Sequence, residues 1–256
     1  MSKTKVVEFI EWPSTEDDDG SRSISEYTRQ QAVDSHSSST DGPAPGVHGR
    51  YSREELFDKK YFDGGQKVGG YARDQWGAYR DFPVHEVTAR HILARRPESV
   101  LELGCARGYV LKRLQDSGVR ACGLEISRHC WMTRAMDFIF ICDLCGPMPW
   151  PNVMTDLPEG QARLKANDWD LCYSVATLEH VPEQALPAVI AEMTRTCKRG
   201  LHGIDFGEHD DGYDQTHATL KNRVFWQEMF EKHAPGWPVE IVDKEDLERL
   251  PPGLTA

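Results

Sequence analysis

The stretch Glu102-Leu103-Gly104-Cys105-Ala106-Arg107-Gly108 gathers a carboxylate, two glycines and a guanidinium into one short span. Glycine at 104 and 108 lets the backbone turn sharply and approach a ligand with no Cβ in the way. Ahead of it Val100, Leu101 and Leu103 form an apolar run of buried-strand length, and behind it Val110, Leu111 and Leu114 recur at helical spacing. A strand, a tight bend and a helix start make a cradle, because the first turn of a helix offers unpaired N–H groups. A second apolar run, Ala121-Cys122-Gly123-Leu124-Glu125-Ile126, carries an acid near its end. A carboxylate accepts from two adjacent O–H donors, so Glu125 suits the hydroxyls of a ribose. His180 and His217 are the candidate bases, since an imidazole exchanges its proton near neutral pH. The chemistry these residues suggest is the holding of a nucleoside-like ligand with proton removal beside it.

The spacing separates the ligands such a cradle takes. A dinucleotide fingerprint requires G-x-G-x-x-G, and Ala106 stands where one of those glycines belongs. The run instead resembles the E/D-x-G-x-x-x-G signature of class I methyltransferases that use S-adenosylmethionine (SAM). A second tract, Asp170-Leu171-Cys172-Tyr173-Ser174 followed by Leu178-Glu179-His180-Val181, resembles the fourth-strand motif of the same family. The resemblance implies that Glu102, Gly104, Cys105, Ala106 and Gly108 lie against the methionine moiety of SAM, and that Glu125 and Ile126 hold its ribose. It also implies that Asp143 and Leu144 read the adenine and that the strand ending at Ser174 lies beneath the methyl group. Tyr71 and Arg73, in Gly69-Gly70-Tyr71-Ala72-Arg73, would close over the cofactor's carboxylate or the acceptor. Tyr79, Glu179, His209, Asp210 and Asp214 would face the acceptor. The last three belong to an acidic, histidine-bearing loop that ends in Asp214-Gln215-Thr216-His217, similar to a D-x-T-H element of the family's small-molecule branch.

These residues need a sheet to position them. Pro83 to Arg95 reads as a helix, and Val100 to Leu103 and Ala121 to Ile126 as the first two strands. A helix over Ser127 to Met136 leads to a third strand, Phe138 to Leu144. Trp169 to Val175 is a fourth strand, followed by a helix over Glu183 to Lys198, a fifth strand from Leu201 to Phe206, and a helix around Arg223 to Lys232. Val239 to Val242 is a sixth strand, and Pro251-Pro252-Gly253 follows without a clear seventh. The expected fold is α/β: a doubly wound, mostly parallel, Rossmann-like sheet in three αβα layers. Residues 1–47 read as a flexible extension, with an apolar run at Val6 to Trp12, a weak helical pattern over Ser23 to Val33 and polar tracts between. Residues 48–97 read as a helical, aromatic cap opened by a capping box, Ser52 with Glu55, and residues 98–256 as the SAM-binding domain.

Composition narrows the function further. The 256 residues carry 41 acids against 30 lysines and arginines, a net charge of −11, so a broad basic footprint for nucleic acid is absent. No apolar run approaches membrane-span length, and Met1 to Lys5 does not open a signal peptide. The seven cysteines lie mostly within predicted strands and helices, which suits free thiols in the cytoplasm. Cys142-x-x-Cys145 has no second pair to complete a zinc site, and no metal is expected. The expectation is a cytoplasmic biosynthetic transferase, monomeric or homodimeric. It would move a methyl group from SAM to an oxygen or nitrogen of a small molecule, natural product or amine. A peptide- or RNA-modifying enzyme and a catalytically inactive SAM-binding scaffold stay open as alternatives.

Overall fold

The computed structural model describes residues 53–63, 83–146, 150, 166–207 and 214–249. The N-terminal expectations up to Ser52 and the chain end at Pro251–Gly253 lie outside these residues. Two short helices, α1 (Arg53–Leu56) and α2 (Lys59–Asp63), precede α3 (Pro83–Ala94). Then follow β1 (Ser99–Leu103), α4 (Tyr109–Asp116), β2 (Arg120–Glu125), α5 (Arg128–Met132) and β3 (Ile139–Ile141). The second half holds β4 (Trp169–Val175), α6 (Leu186–Thr196), β5 (Cys197–Ile204), α7 (Arg223–His233), β6 (Val239–Asp243) and α8 (Lys244–Glu248).

The six strands form one sheet in the order β3-β2-β1-β4-β5-β6, and every neighbouring pair is parallel. Helices cover both faces, which is why the strands read as near-continuous apolar runs. Successive side chains of β4 point to opposite sides. Leu171 and Tyr173 join Ile92 of α3, Leu111 and Leu114 of α4 and Leu247 of α8 on one face. Cys172 joins Val189 and Met193 of α6 with Trp226 and Phe230 of α7 on the other. Each fully buried Leu or Ile contributes roughly 1.5–3 kcal/mol of transfer free energy, so α4 is held by its apolar stripe of Val110, Leu111 and Leu114. The chain order reverses between β1 and β4, and an open α/β sheet binds its ligand at such a reversal, outside the carboxyl ends of the strands.

Three boundaries depart from the sequence expectation. The third strand stops at Ile141, leaving Asp143 in the turn beyond it, and α5 covers only the first half of the expected helix. Strand β5 begins at Cys197, directly at the end of α6, although Lys198, Arg199 and Gly200 look unlike a buried strand. Arg199 is satisfied by an ion pair with Asp170 at 3.0 Å, and Gly200 is required because Trp237 lies where its Cβ would stand, 2.6 Å away. The described sheet ends at β6, and the chain turns at once into α8, where the Leu247 carbonyl accepts from the Thr88 hydroxyl at 3.2 Å. Among the described residues no helix is long and apolar enough to cross a membrane.

Candidate functional site

The bend after β1 is built around backbone that side chains resist. Gly104 and Gly108 have φ of 66° and 74°, and Ala106 between them has φ 48°. A non-glycine residue in this left-handed region costs about 1–2 kcal/mol. What holds Ala106 there is Glu125 at the end of β2, whose carboxylate accepts from the Ala106 N–H at 2.7 Å and from the Ser127 N–H at 2.7 Å. Gly104 and Cys105 in turn donate to the Leu124 carbonyl at 2.8 and 3.2 Å. The bend is therefore stitched to β2 by both backbone and carboxylate. Gly108 stands at the N-cap of α4 with no side chain to cap it, and Tyr109 and Val110 of the first turn line the cleft.

Beside this bend opens a cleft of about 370 Å³, within the size range of small-ligand sites. Glu102, Gly104, Cys105, Ala106, Glu125, Ile126, Asp143, Leu144 and His180 all line it. Of the sequence-predicted residues, Tyr71, Arg73, Tyr79, His209 and Asp210 lie outside the described residues. Glu102 is buried and its Oε2 has no hydrogen-bond partner among the described residues. Burial, with a smaller push from the Glu125 charge against the opposing Tyr173 hydrogen bond, lifts its pKa to about 8. Burial likewise lifts Glu125 to about 7, opposed by the backbone donors on its oxygens.

A buried carboxylate pair beside open helix donors suits a ligand that brings positive charge together with hydroxyl or carboxylate groups. Each Glu125 oxygen keeps a second lone pair for a hydroxyl donor. The orphaned Glu102 oxygen and the glycine cradle therefore fit SAM, which carries an ammonium, a sulfonium, a carboxylate and a ribose.

Asp143 and several other predicted residues sit differently from the expectation. The Asp143 carboxylate is forked by Arg53 Nε of α1 at 3.0 and 3.1 Å and also accepts from the Cys145 N–H at 2.9 Å. Asp143, expected to read the adenine, lines the cleft while paired with an arginine ninety positions upstream. Ser174 is not among the cleft-lining residues: it is fully buried, and its hydroxyl bonds His202 Nδ1 at 2.9 Å on the face covered by α6 and α7. Glu179 is likewise fully buried behind the cleft wall. Its Oε1 accepts from the Asp205 N–H at 3.2 Å, and its backbone carbonyl accepts from Ala218 and Thr219, both at 2.8 Å. Burial pushes the Glu179 carboxyl to about 8.

Glu179 thus anchors the segment that carries Asp214 and His217. Asp214 accepts from Tyr61 Oη at 2.7 Å and from the Thr216 hydroxyl at 2.6 Å. The His217 ring lies 4.8 Å from that of His180. Ligand atoms of Glu179, His180 and His217 spread over 4.8 Å. Opposite ligands of a six-coordinate ion with bonds of about 2.1 Å stand about 4.2 Å apart, so the trio would have to contract to hold one.

Several residues at this site were not predicted for it. Arg53 of α1, Phe57 in the turn after it and Tyr61 of α2 line the cleft, and Phe57, Tyr61 and Phe62 pack with Ala106 and Cys130. The aromatic density of the segment after Tyr51 was the available signal. Thr177 lies under the bend, and its hydroxyl sits 3.1 Å from the carbonyls of both Leu103 and Val175, tying the ends of β1 and β4 together.

A family model described as a methyltransferase domain matches residues 76–236, well over half the chain. Among solved structures, a SAM-dependent methyltransferase from Archaeoglobus fulgidus is 16% identical, covers 62% of this chain and 72% of its own, and has a TM-score of 0.44. One from Thermotoga maritima, described as a possible histamine N-methyltransferase, is 18% identical over 64% of this chain and 75% of its own, with a TM-score of 0.44. A phosphoethanolamine N-methyltransferase from Haemonchus contortus, solved with phosphomonomethylethanolamine and S-adenosylhomocysteine, is 15% identical over 73% of this chain and 43% of its own, with a TM-score of 0.43. No curated protein matches the sequence.

Proposed function

This chain belongs to the class I SAM-dependent methyltransferases, and on that premise we propose that it methylates an oxygen or nitrogen nucleophile of a small-molecule acceptor, with His180 as the base. Its cofactor is S-adenosylmethionine, which when bound supplies a methyl carbon activated by positively charged sulfur. The chain's own task is then to align two reactants, keep water out and take up a proton. In this reading the unpartnered Glu102 oxygen faces the cofactor's ammonium, the Glu125 carboxylate accepts from its ribose hydroxyls, and the open start of α4 faces its carboxylate. Residues of α1 and α2 serve as the cap: Arg53 closes the adenine end through Asp143, and Phe57 and Tyr61 wall the acceptor end beside His180.

The observation that carries the reading is that the Glu125-locked bend and His180 line one and the same cleft. A proton acceptor in the cavity that would hold the methyl donor is what transfer to an O–H or N–H⁺ nucleophile requires, and this shared lining supports the reading. The test is a screen with labelled SAM against amines, phenols, carboxylic acids and short peptides, paired with calorimetric titration of SAM. Label appearing on an amine or phenol, and lost in His180→Ala, supports the proposal. Label appearing only on peptides, or only on carboxylic acids with His180→Ala fully active, refutes it.

A further inference from the structure

The side chains behind His180 form a chain whose polarity can be read from donor count alone. Tyr61 Oη donates to Asp214 Oδ2 at 2.7 Å, the Thr216 hydroxyl donates to Asp214 Oδ1 at 2.6 Å, and the Thr216 N–H reaches the same oxygen at 2.9 Å. Thr216 Oγ1 also stands 2.9 Å from His180 Nδ1. An ionised carboxylate only accepts, and a threonine hydroxyl has one proton. Burial alone would raise the Asp214 pKa, but the adjacent His180 charge and the hydrogen bonds from Thr216 and Tyr61 outweigh it and hold the group below the ordinary carboxylate range. With the hydroxyl proton directed at Asp214, Thr216 Oγ1 can meet His180 Nδ1 only by accepting. The proton of neutral His180 is thereby placed on Nδ1, and the lone pair falls on Nε2.

We propose that Tyr61, Asp214 and Thr216 are positioning residues that hold His180 as the Nδ1–H tautomer with Nε2 as its basic atom, and that Asp214 stabilises the imidazolium formed when Nε2 takes the acceptor's proton. This rests on the reading of His180 as the base. No proton passes along the chain: the acceptor's proton ends on Nε2, Nδ1 keeps its own, and Asp214 stays ionised. The ring is held in this orientation by Phe57, edge-on at 5.4 Å, and by His217 at 4.8 Å. Tyr61 brings the cap into the arrangement, since the phenol that fixes Asp214 belongs to α2, whose aromatic neighbours wall the cleft.

The test is two-bond proton–nitrogen NMR on the full-length protein labelled with ¹⁵N-histidine, above the titration of His180, with its signals assigned through His180→Gln. The wild type and Thr216→Ser are expected to show the Nδ1–H pattern, and Thr216→Val a shift toward Nε2–H, with SAM binding retained by calorimetry as the check on folding. With the acceptor selected by the labelled-SAM screen, Thr216→Val and Asp214→Asn are expected to lose about tenfold to a hundredfold in kcat, no more than the low end of general-base effects because the base itself is kept, at unchanged KM for SAM. Thr216→Ser is expected to recover most of that loss. An Nε2–H pattern in the wild type overturns the proposal, as does full kcat in Thr216→Val alongside an inactive His180→Gln. Turnover that is lost to a chelator and restored by Mn²⁺ or Zn²⁺ overturns it too, by making Nε2 a metal ligand. A fully active His180→Gln with the Nδ1–H pattern present removes the base itself, and so separates failure of the underlying reading from failure of the positioning role.

Discussion

Gly104→Ala is the substitution whose cost can be worked most directly from the geometry. Two separate penalties meet there. The residue sits at φ 66°, where a Cβ costs about 1–2 kcal/mol. That Cβ would also stand 2.5 Å from Thr177 Cγ2 and 2.6 Å from Thr177 Oγ1. Thr177 cannot easily turn aside, because its hydroxyl is engaged with the Leu103 and Val175 carbonyls. Forcing an extra carbon into such packing costs about 1–3 kcal/mol more, for a total of about 2–5 kcal/mol. Gly118 is the internal control: it has φ 84°, yet nothing lies within 4 Å of the Cβ position, so Gly118→Ala should carry the backbone penalty alone, partly offset by a less flexible unfolded chain. Equilibrium urea unfolding of both variants separates the two effects. Gly104→Ala should be the less stable by about 1–3 kcal/mol at similar m-value. On the proposed reading that the shifted bend cradles the cofactor, its SAM affinity should fall while that of Gly118→Ala stays near wild type. Equal losses in the two variants would refute the steric argument and, with it, the claim that Thr177 braces the bend.

Without ligand, the protein should lose stability as pH rises from about 4.5 to 8. Glu102, Glu125 and Glu179 have folded pKa values of about 8, 7 and 8 against an ordinary 4.5, so the folded state binds more protons across that window and stability falls as they ionise. SAM affinity should change the other way, strengthening over the same window as Glu102 and Glu125 gain charge; thermal melts with and without SAM at several pH values read both, and a flat ligand-free profile contradicts the burial argument. Ser174→Ala should cost about 1–3 kcal/mol in urea unfolding by stranding buried His202, and leave SAM affinity intact; a tenfold loss of SAM affinity would return Ser174 to the site. Arg53→Ala removes a half-buried ion pair worth up to about 1 kcal/mol, so unfolding should barely change, while SAM dissociates faster by stopped-flow because the adenine end loses its cover. An unchanged off-rate means that α1 does not act as a cover.

The cradle was legible because its signals are local. Strand, glycine bend, helix and strand-end acid follow one another closely, and each obeys a short-range rule. The reversal between β1 and β4 was implied by the two motifs flanking it. What stayed hidden was either long-range or a matter of facing. The Arg53 grip on Asp143 joins positions 90 apart and the Tyr61 contact with Asp214 positions 153 apart, with no pattern around either to announce the other. The burial of Ser174 was hidden for a different reason. In β4 Trp169, Leu171, Tyr173 and Val175 alternate with Asp170, Cys172 and Ser174, but in a sheet buried on both sides that alternation does not say which residues reach the cleft, and the serine falls on the face covered by α6 and α7. Glu179 was expected to face the acceptor, and only the Asp205 amide and the fold of the following loop show its carboxylate to be internal.

The tethers of the cap have a consequence for how the protein is made. Arg53 holds Asp143, Glu54 holds Arg128 at 3.1 Å, and Tyr61 holds Asp214, so the first described residues of the chain wait on three partners that emerge from the ribosome in succession. The wall of the cleft is translated first and seated last. A nascent chain arrested before position 214 would carry the bend after β1 with the Tyr61 side of the cleft still ajar, and closure of that side would mark that synthesis had passed β5.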